Sequence, residues 1–163
     1  MSYHVPPAPF ATFSSSATQS IADITLAQAV TYNTTAVSKG ITLVSNSRIT
    51  LPQVGNYALA FSAIGHNSAT SSSKTMNIFL RKNGSGSVAN SSTIVAVAKD
   101  NPTTIAATFD VECTTAGDYY ELMLVGQTTD CQILATAAQA AVPLVSPAQP
   151  ACPSIVVAVW QIN

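Results

Sequence analysis

Charge is what this sequence has least of. Six Lys and Arg and seven Asp and Glu make 8% of 163 residues, against roughly one-quarter in an ordinary soluble domain. With a formal net charge of -1, repulsion between copies is too weak to keep them apart. The surface must therefore be Ser, Thr, Asn, Gln and Ala, or other copies of the same chain. Lys39, Arg48, Lys74, Arg81, Lys82 and Lys99 are scattered. No basic stripe exists to neutralise a phosphate backbone, which argues against a nucleic-acid partner. Long apolar runs are missing too. The longest, Ile155 to Trp160, falls far short of the ~20 residues that span a bilayer, so no membrane partner is expected. The opening Met1-Ser2-Tyr3-His4-Val5-Pro6-Pro7 lacks the basic and apolar regions of a secretory signal. The expectation is a soluble chain made in a cytoplasm.

Chemistry-bearing residues are equally sparse. Cys113, Cys131 and Cys152 are far apart in sequence, and no C-x2-C pair offers a structural metal site. One disulfide with a leftover thiol is arithmetically open, but buried free thiols acting as small hydrophobes are the expectation. His4 lies in the N-terminal stretch and His66 in a Ser/Asn-rich segment read as a loop. Neither a G-x-S-x-G elbow nor a phosphate-cradling glycine loop occurs. We therefore expect no catalytic residue, no cofactor and no enzyme. Asp110 and Glu112 read as a solvated strand edge. Calcium held by Asp118, Asp130 and loop carbonyls is conceivable, since that ion wants several oxygens, but no bound metal is the stronger reading. The Asn33, Asn83 and Asn90 triplets match a glycosylation pattern that a chain this rich in Asn, Ser and Thr contains by chance.

What the chain does have is two-residue alternation, the signal of β-strands. Ile105, Ala107, Phe109, Val111 and Cys113 point one way and Thr104, Ala106, Thr108, Asp110 and Glu112 the other. Met76, Ile78 and Leu80 alternate similarly. Further strands are expected in 29–33, 40–45, 48–51, 92–98 and 131–138. Turn residues separate them, including Asn83-Gly84, a hairpin signal when alternation flanks it. The segments 21–29 and 135–142 are helix-friendly but carry no helical apolar stripe. About ten strands between turns predict an all-β, two-sheet antiparallel sandwich, with residues 1–9 as an arm and 10–163 as the domain.

Three strands break the alternation by being apolar on both faces. Tyr57, Leu59 and Phe61 are opposite Ala58 and Ala60. Tyr119, Met123 and Val125 are opposite Tyr120, Leu122 and Leu124. Ile155, Val157 and Val159 are opposite Val156, Ala158 and Trp160. A strand on a single core should have one wet face, so loops or neighbouring subunits must cover the second. The second explanation fits the shortage of charge. It places Ala58, Ala60, Tyr120, Leu122, Leu124, Val156, Ala158 and Trp160 at a subunit interface. Glu121, inside a doubly apolar strand, should pair with Arg81 or Arg48, or lie on the assembly axis.

The runs Gly55-Asn56-Tyr57-Ala58-Leu59-Ala60-Phe61-Ser62, Ile78-Phe79-Leu80-Arg81-Lys82-Asn83-Gly84, Ala116-Gly117-Asp118-Tyr119-Tyr120-Glu121-Leu122 and Pro153-Ser154-Ile155-Val156-Val157-Ala158-Val159 occur in an order and spacing that resemble the jelly-roll modules of tailed-phage virion proteins. Cyanophage proteins carry the strongest likeness, and those modules are similar to the globular heads of tumour necrosis factor and the first complement component. The resemblance implies a ten-stranded jelly roll assembling as a homotrimer, with the central strands of one sheet on the three-fold axis. It further implies a cement or decoration protein of a phage head, made in the host cytoplasm, located on the capsid surface and partnered by the major capsid protein or another virion protein. The alternative it carries is the distal knob of a tail or head fibre, binding a receptor or glycan through the loops 64–74 and 83–90. Within the N-terminal stretch, Tyr3, Val5, Pro6, Pro7, Phe10 and Phe13 are the expected anchor. Prolines limit what such an arm loses on docking, and a strand completing the chain's own sheet is the competing reading.

Overall fold

The computed structural model describes residues 7–69, 72–140 and 148–162, and among these it contains fourteen strands and no helix. In chain order they are β1 (Phe10–Ser15), β2 (Gln19–Ser20), β3 (Gln28–Ala29), β4 (Thr34–Lys39), β5 (Thr42–Val44), β6 (Arg48–Thr50), β7 (Gly55–Asn67), β8 (Lys74–Lys82), β9 (Ser85–Ser87), β10 (Thr93–Val97), β11 (Thr103–Cys113), β12 (Tyr119–Gly126), β13 (Cys131–Ile133) and β14 (Ile155–Ile162). The first sheet runs β2-β13-β7-β14-β1-β4, with β11 along the other edge of β7. The second runs β10-β8-β12-β6-β5, with β3 beside β12 and β9 beside β8. All named strand pairs are antiparallel, and the two sheets make the jelly-roll sandwich that the sequence predicts.

The core lies between the sheets. Tyr57, Leu59 and Phe61 of β7 and Ile155, Val157 and Val159 of β14 enter it from the first sheet; Ile78, Leu80, Leu122 and Leu124 enter from the second. The β11 alternation holds: Ile105, Val111 and Cys113 are buried, Ala107 and Phe109 pack against the core, and Thr104, Ala106, Thr108, Asp110 and Glu112 are exposed. Asn83 (φ 51°) and Gly84 (φ 70°) both sit in the left-handed region between the paired residues Lys82 and Ser85. Two such residues make the type I′ turn whose twist matches its flanking strands.

The described parts of 21–29 and 135–142 are extended or irregular, as expected of segments with no apolar stripe with which to bury a helix. Several other expectations needed correction. Residues 29–33 are mostly loop, and the strands in 40–45 and 131–138 shorten to three residues each. The strand β4 was not anticipated, and β1 (Phe10–Ser15) bears out the competing reading of the N-terminal stretch as a strand of the chain's own sheet. Each alternates only weakly in sequence, and β4 is exposed along its whole length, as an edge strand can be.

Candidate functional site

The outer face of the first sheet is the surface with the least ordinary chemistry. Strand register stacks it in rows, with Asp110, Ala58 and Trp160 in one, Thr108, Ala60 and Ala158 in the next, and Ala106, Ser62 and Val156 in a third. Directly opposed residues on antiparallel strands share a face, so these rows form one continuous surface of small and apolar side chains with Asp110 at its β11 edge. Trp160 is 41% exposed on it. Ser15 lies opposite Ile155 and the Gln161 amide donates to the Pro9 carbonyl at 3.0 Å. This register sets Phe10, 40% exposed, beside Trp160. Two large aromatics presented side by side on a sheet with few charges are costly to leave in water.

Of the interface residues expected from sequence, Ala58, Ala60, Val156, Ala158 and Trp160 come together here. Tyr120, Leu122 and Leu124 do not. They belong to the second sheet and are buried in the sandwich core. Both faces of β12 are dry for an internal reason, because its reverse face is covered by the chain itself. Glu121 and Met123 are both buried there, and Ser47 in the β5–β6 turn donates to Glu121 Oε1 at 3.1 Å.

The anchor residues also separate. Tyr3, Val5 and Pro6 lie outside the described residues. Pro7 is exposed and Phe10 is on the outer face of β1. Phe13 is fully buried against Tyr32, with ring centroids 6.3 Å apart. It is a core residue, since β1 completes the chain's own sheet, and it cannot serve a docking arm.

Charged groups gather on the second sheet. Arg81 Nε and Nη2 hold Glu121 Oε2 at 2.9 and 2.8 Å, while Arg48 Nε lies 3.8 Å from Oε1 and stacks 4.9 Å from the Tyr119 ring. Lys82 Nζ contacts Asp118 Oδ2 at 2.8 Å, the Glu112 carbonyl at 2.9 Å and Thr114 Oγ1 at 3.2 Å. Asp118 also accepts from the Asn83 amide and from the Thr114 and Thr115 backbone N–H groups. Lys82 and then Asn83 hold the Asp118 carboxyl well below the usual carboxylate range, against the opposing effect of burial. These pairs are saturated and structural. They fill Asp118 Oδ2 with donors, and Asp130 lies beyond the far end of eight-residue β12. That strand alone spans about 27 Å. Among the described residues no three His, Cys, Asp or Glu gather as metal ligands.

The remaining candidates are modest. His66 lies in β7, not a loop, with Nδ1 3.1 Å from Gln132 Nε2. All three cysteines are free; Cys113 and Cys131 are buried as expected, but Cys152 is exposed. A cleft of about 310 Å³ is lined by Asn77, Phe79, Asn90 and Ser92. It brings an aromatic from β8 beside the Ser/Asn-rich loop, a neighbourhood that sequence order conceals.

Neither the protein-family models nor the curated proteins include a match to this sequence. Solved structures do resemble the fold. The globular domain of zebrafish complement 1qA is 12% identical with a TM-score of 0.60, covering 95% of this chain and 98% of that one. Murine APRIL is 11% identical at 0.58, covering 96% and 100%. Eiger TNF from S. frugiperda is 10% identical at 0.57, covering 97% and 94%. At such identities the likeness concerns the fold alone, and it spans nearly the whole chain.

Proposed function

We propose that this chain is a non-enzymatic structural protein that forms a homotrimer through the outer face of its first sheet and decorates a phage head as a cement protein. The observation that carries the trimer is that face: Trp160 and Phe10 stand exposed among Ala58, Ala60, Val156 and Ala158, and subunit burial removes them from water. The phage setting rests on the sequence resemblance, which also implies location on the capsid surface and a virion-protein partner. Sedimentation should give three times 16.8 kDa. Trp160 is the only tryptophan, so its emission should shift red as the trimer dissociates on dilution. Trp160→Asp should yield a folded monomer. A wild-type chain that sediments as a stable monomer overturns this reading.

The fibre-knob alternative gains from one observation. Phe79 with Asn77, Asn90 and Ser92 supplies the aromatic platform and amide groups that a sugar ring prefers. A glycan array probed with the trimer and with Phe79→Ala separates the readings. Phe79-dependent binding favours the knob, and its absence alongside particle binding favours the cement role.

A further inference from the structure

The seven strands of the first sheet contain three charged residues, and their placement is polar. Lys39 is on the β4 edge; Asp110 and Glu112 are on the β11 edge. Lys39 is opposite Phe10, Phe10 is beside Trp160, Trp160 is opposite Ala58, and Ala58 is opposite Asp110. One row across the outer face therefore begins with a cation, passes through two exposed aromatics and an alanine, and ends with an anion. Four strand spacings separate its ends by about 19 Å, so Lys39 and Asp110 of one chain cannot meet. Both are exposed, and neither has an ion-pair partner among the described residues.

Closed rings join unlike patches head to tail. A sheet with opposite charges at its two edges suits that geometry, whereas joining like edges would oppose Lys39 to Lys39 or Asp110 to Asp110. We propose that Lys39 of one copy pairs with Asp110 of the next and sets the register of a three-fold ring. The occupant of the outer face is thus a second copy of this chain, and the inference rests on the trimer proposed above. Burial of the Trp160 and Phe10 surface supplies the attraction. The flanking pair rejects shifted or reversed packings, since like charges forced together across an interface are strongly disfavoured.

The test is a charge swap followed by sedimentation over a dilution series, with circular dichroism confirming the fold. Lys39→Asp and Asp110→Lys should each raise the concentration at which the trimer dissociates by at least about tenfold. The double variant should recover most of that loss. Glu112→Lys, one row along, should have a smaller effect. If the wild type is a trimer but the single variants dissociate like it, or the double variant fails to recover, the pairing is wrong while the trimer stands. Stronger weakening by Glu112→Lys than by Asp110→Lys likewise overturns the assignment. A monomeric wild type overturns the trimer itself.

Discussion

The Tyr32 hydroxyl is buried with no hydrogen-bond partner among the described residues, and burial pushes its pKa up. An unsatisfied buried hydroxyl is a standing cost, so Tyr32→Phe should stabilise the fold by about 1 kcal/mol in urea denaturation. A loss of stability would mean the hydroxyl has a partner. Nothing in the sequence marks this tyrosine, because satisfaction depends on what surrounds it. Glu121 is the opposite case: a lone carboxylate in an apolar strand demanded a cation, and Arg81 and Arg48 provide it. The two partners are unequally exposed, at 31% for Arg81 and 3% for Glu121. Arg81→Met leaves the buried carboxylate only the Ser47 hydroxyl and the longer 3.8 Å contact to Arg48 and should cost up to about 3–5 kcal/mol. Glu121→Gln leaves an arginine that can turn to water, so its cost should be nearer 1–2 kcal/mol. Equal losses in paired denaturation curves would refute that asymmetry.

At the scale of elements, alternation was readable in strands whose two faces differ in polarity, as β11 illustrates. It failed at β12, where the two dry faces of an internal strand look like those of an interface strand. Turn chemistry was readable as well, because Asn83-Gly84 specifies its hairpin locally. The same turn feeds the network around Asp118, and this gives a pH signature. The folded carboxyl is held below the usual range by Lys82 and Asn83, whereas in the unfolded chain it titrates near 3.9. On acidification the unfolded state takes up its proton first. The stabilisation is therefore complete above about pH 5 and is lost as pH falls through 4 toward the folded value. Melting temperatures of wild type and Asp118→Asn should differ most at neutral pH, and the gap should narrow steadily as pH falls below about 4. A gap that stays constant across this range would show that Asp118 contributes packing alone.

For the whole molecule, the sandwich was legible because β8 and β11 alternate and turn residues separate the strands, while the site was half legible. Val156, Ala158 and Trp160 follow from alternation in β14. Their alignment with Phe10, Ala58 and Asp110 depends on register across four strands, which no single segment encodes. The structure also redraws the proposed anchor. Phe13 is core, Phe10 belongs to the sheet face, and the Pro9 carbonyl accepts from Gln161, so deleting residues through 13 would remove β1 and unfold its neighbours β4 and β14. Deletion of residues 2–7 tests the anchor cleanly. The shortened chain keeps β1 intact and should form the trimer at unchanged melting temperature. If residues 2–7 anchor the protein to a particle, three linked arms add avidity of ~10²–10⁴ over one, and the shortened trimer should fail to coat particles stripped of the native protein. Full reoccupation by the shortened trimer, measured by counting bound chains per particle, would move the attachment from the arm to the trimer's own surface.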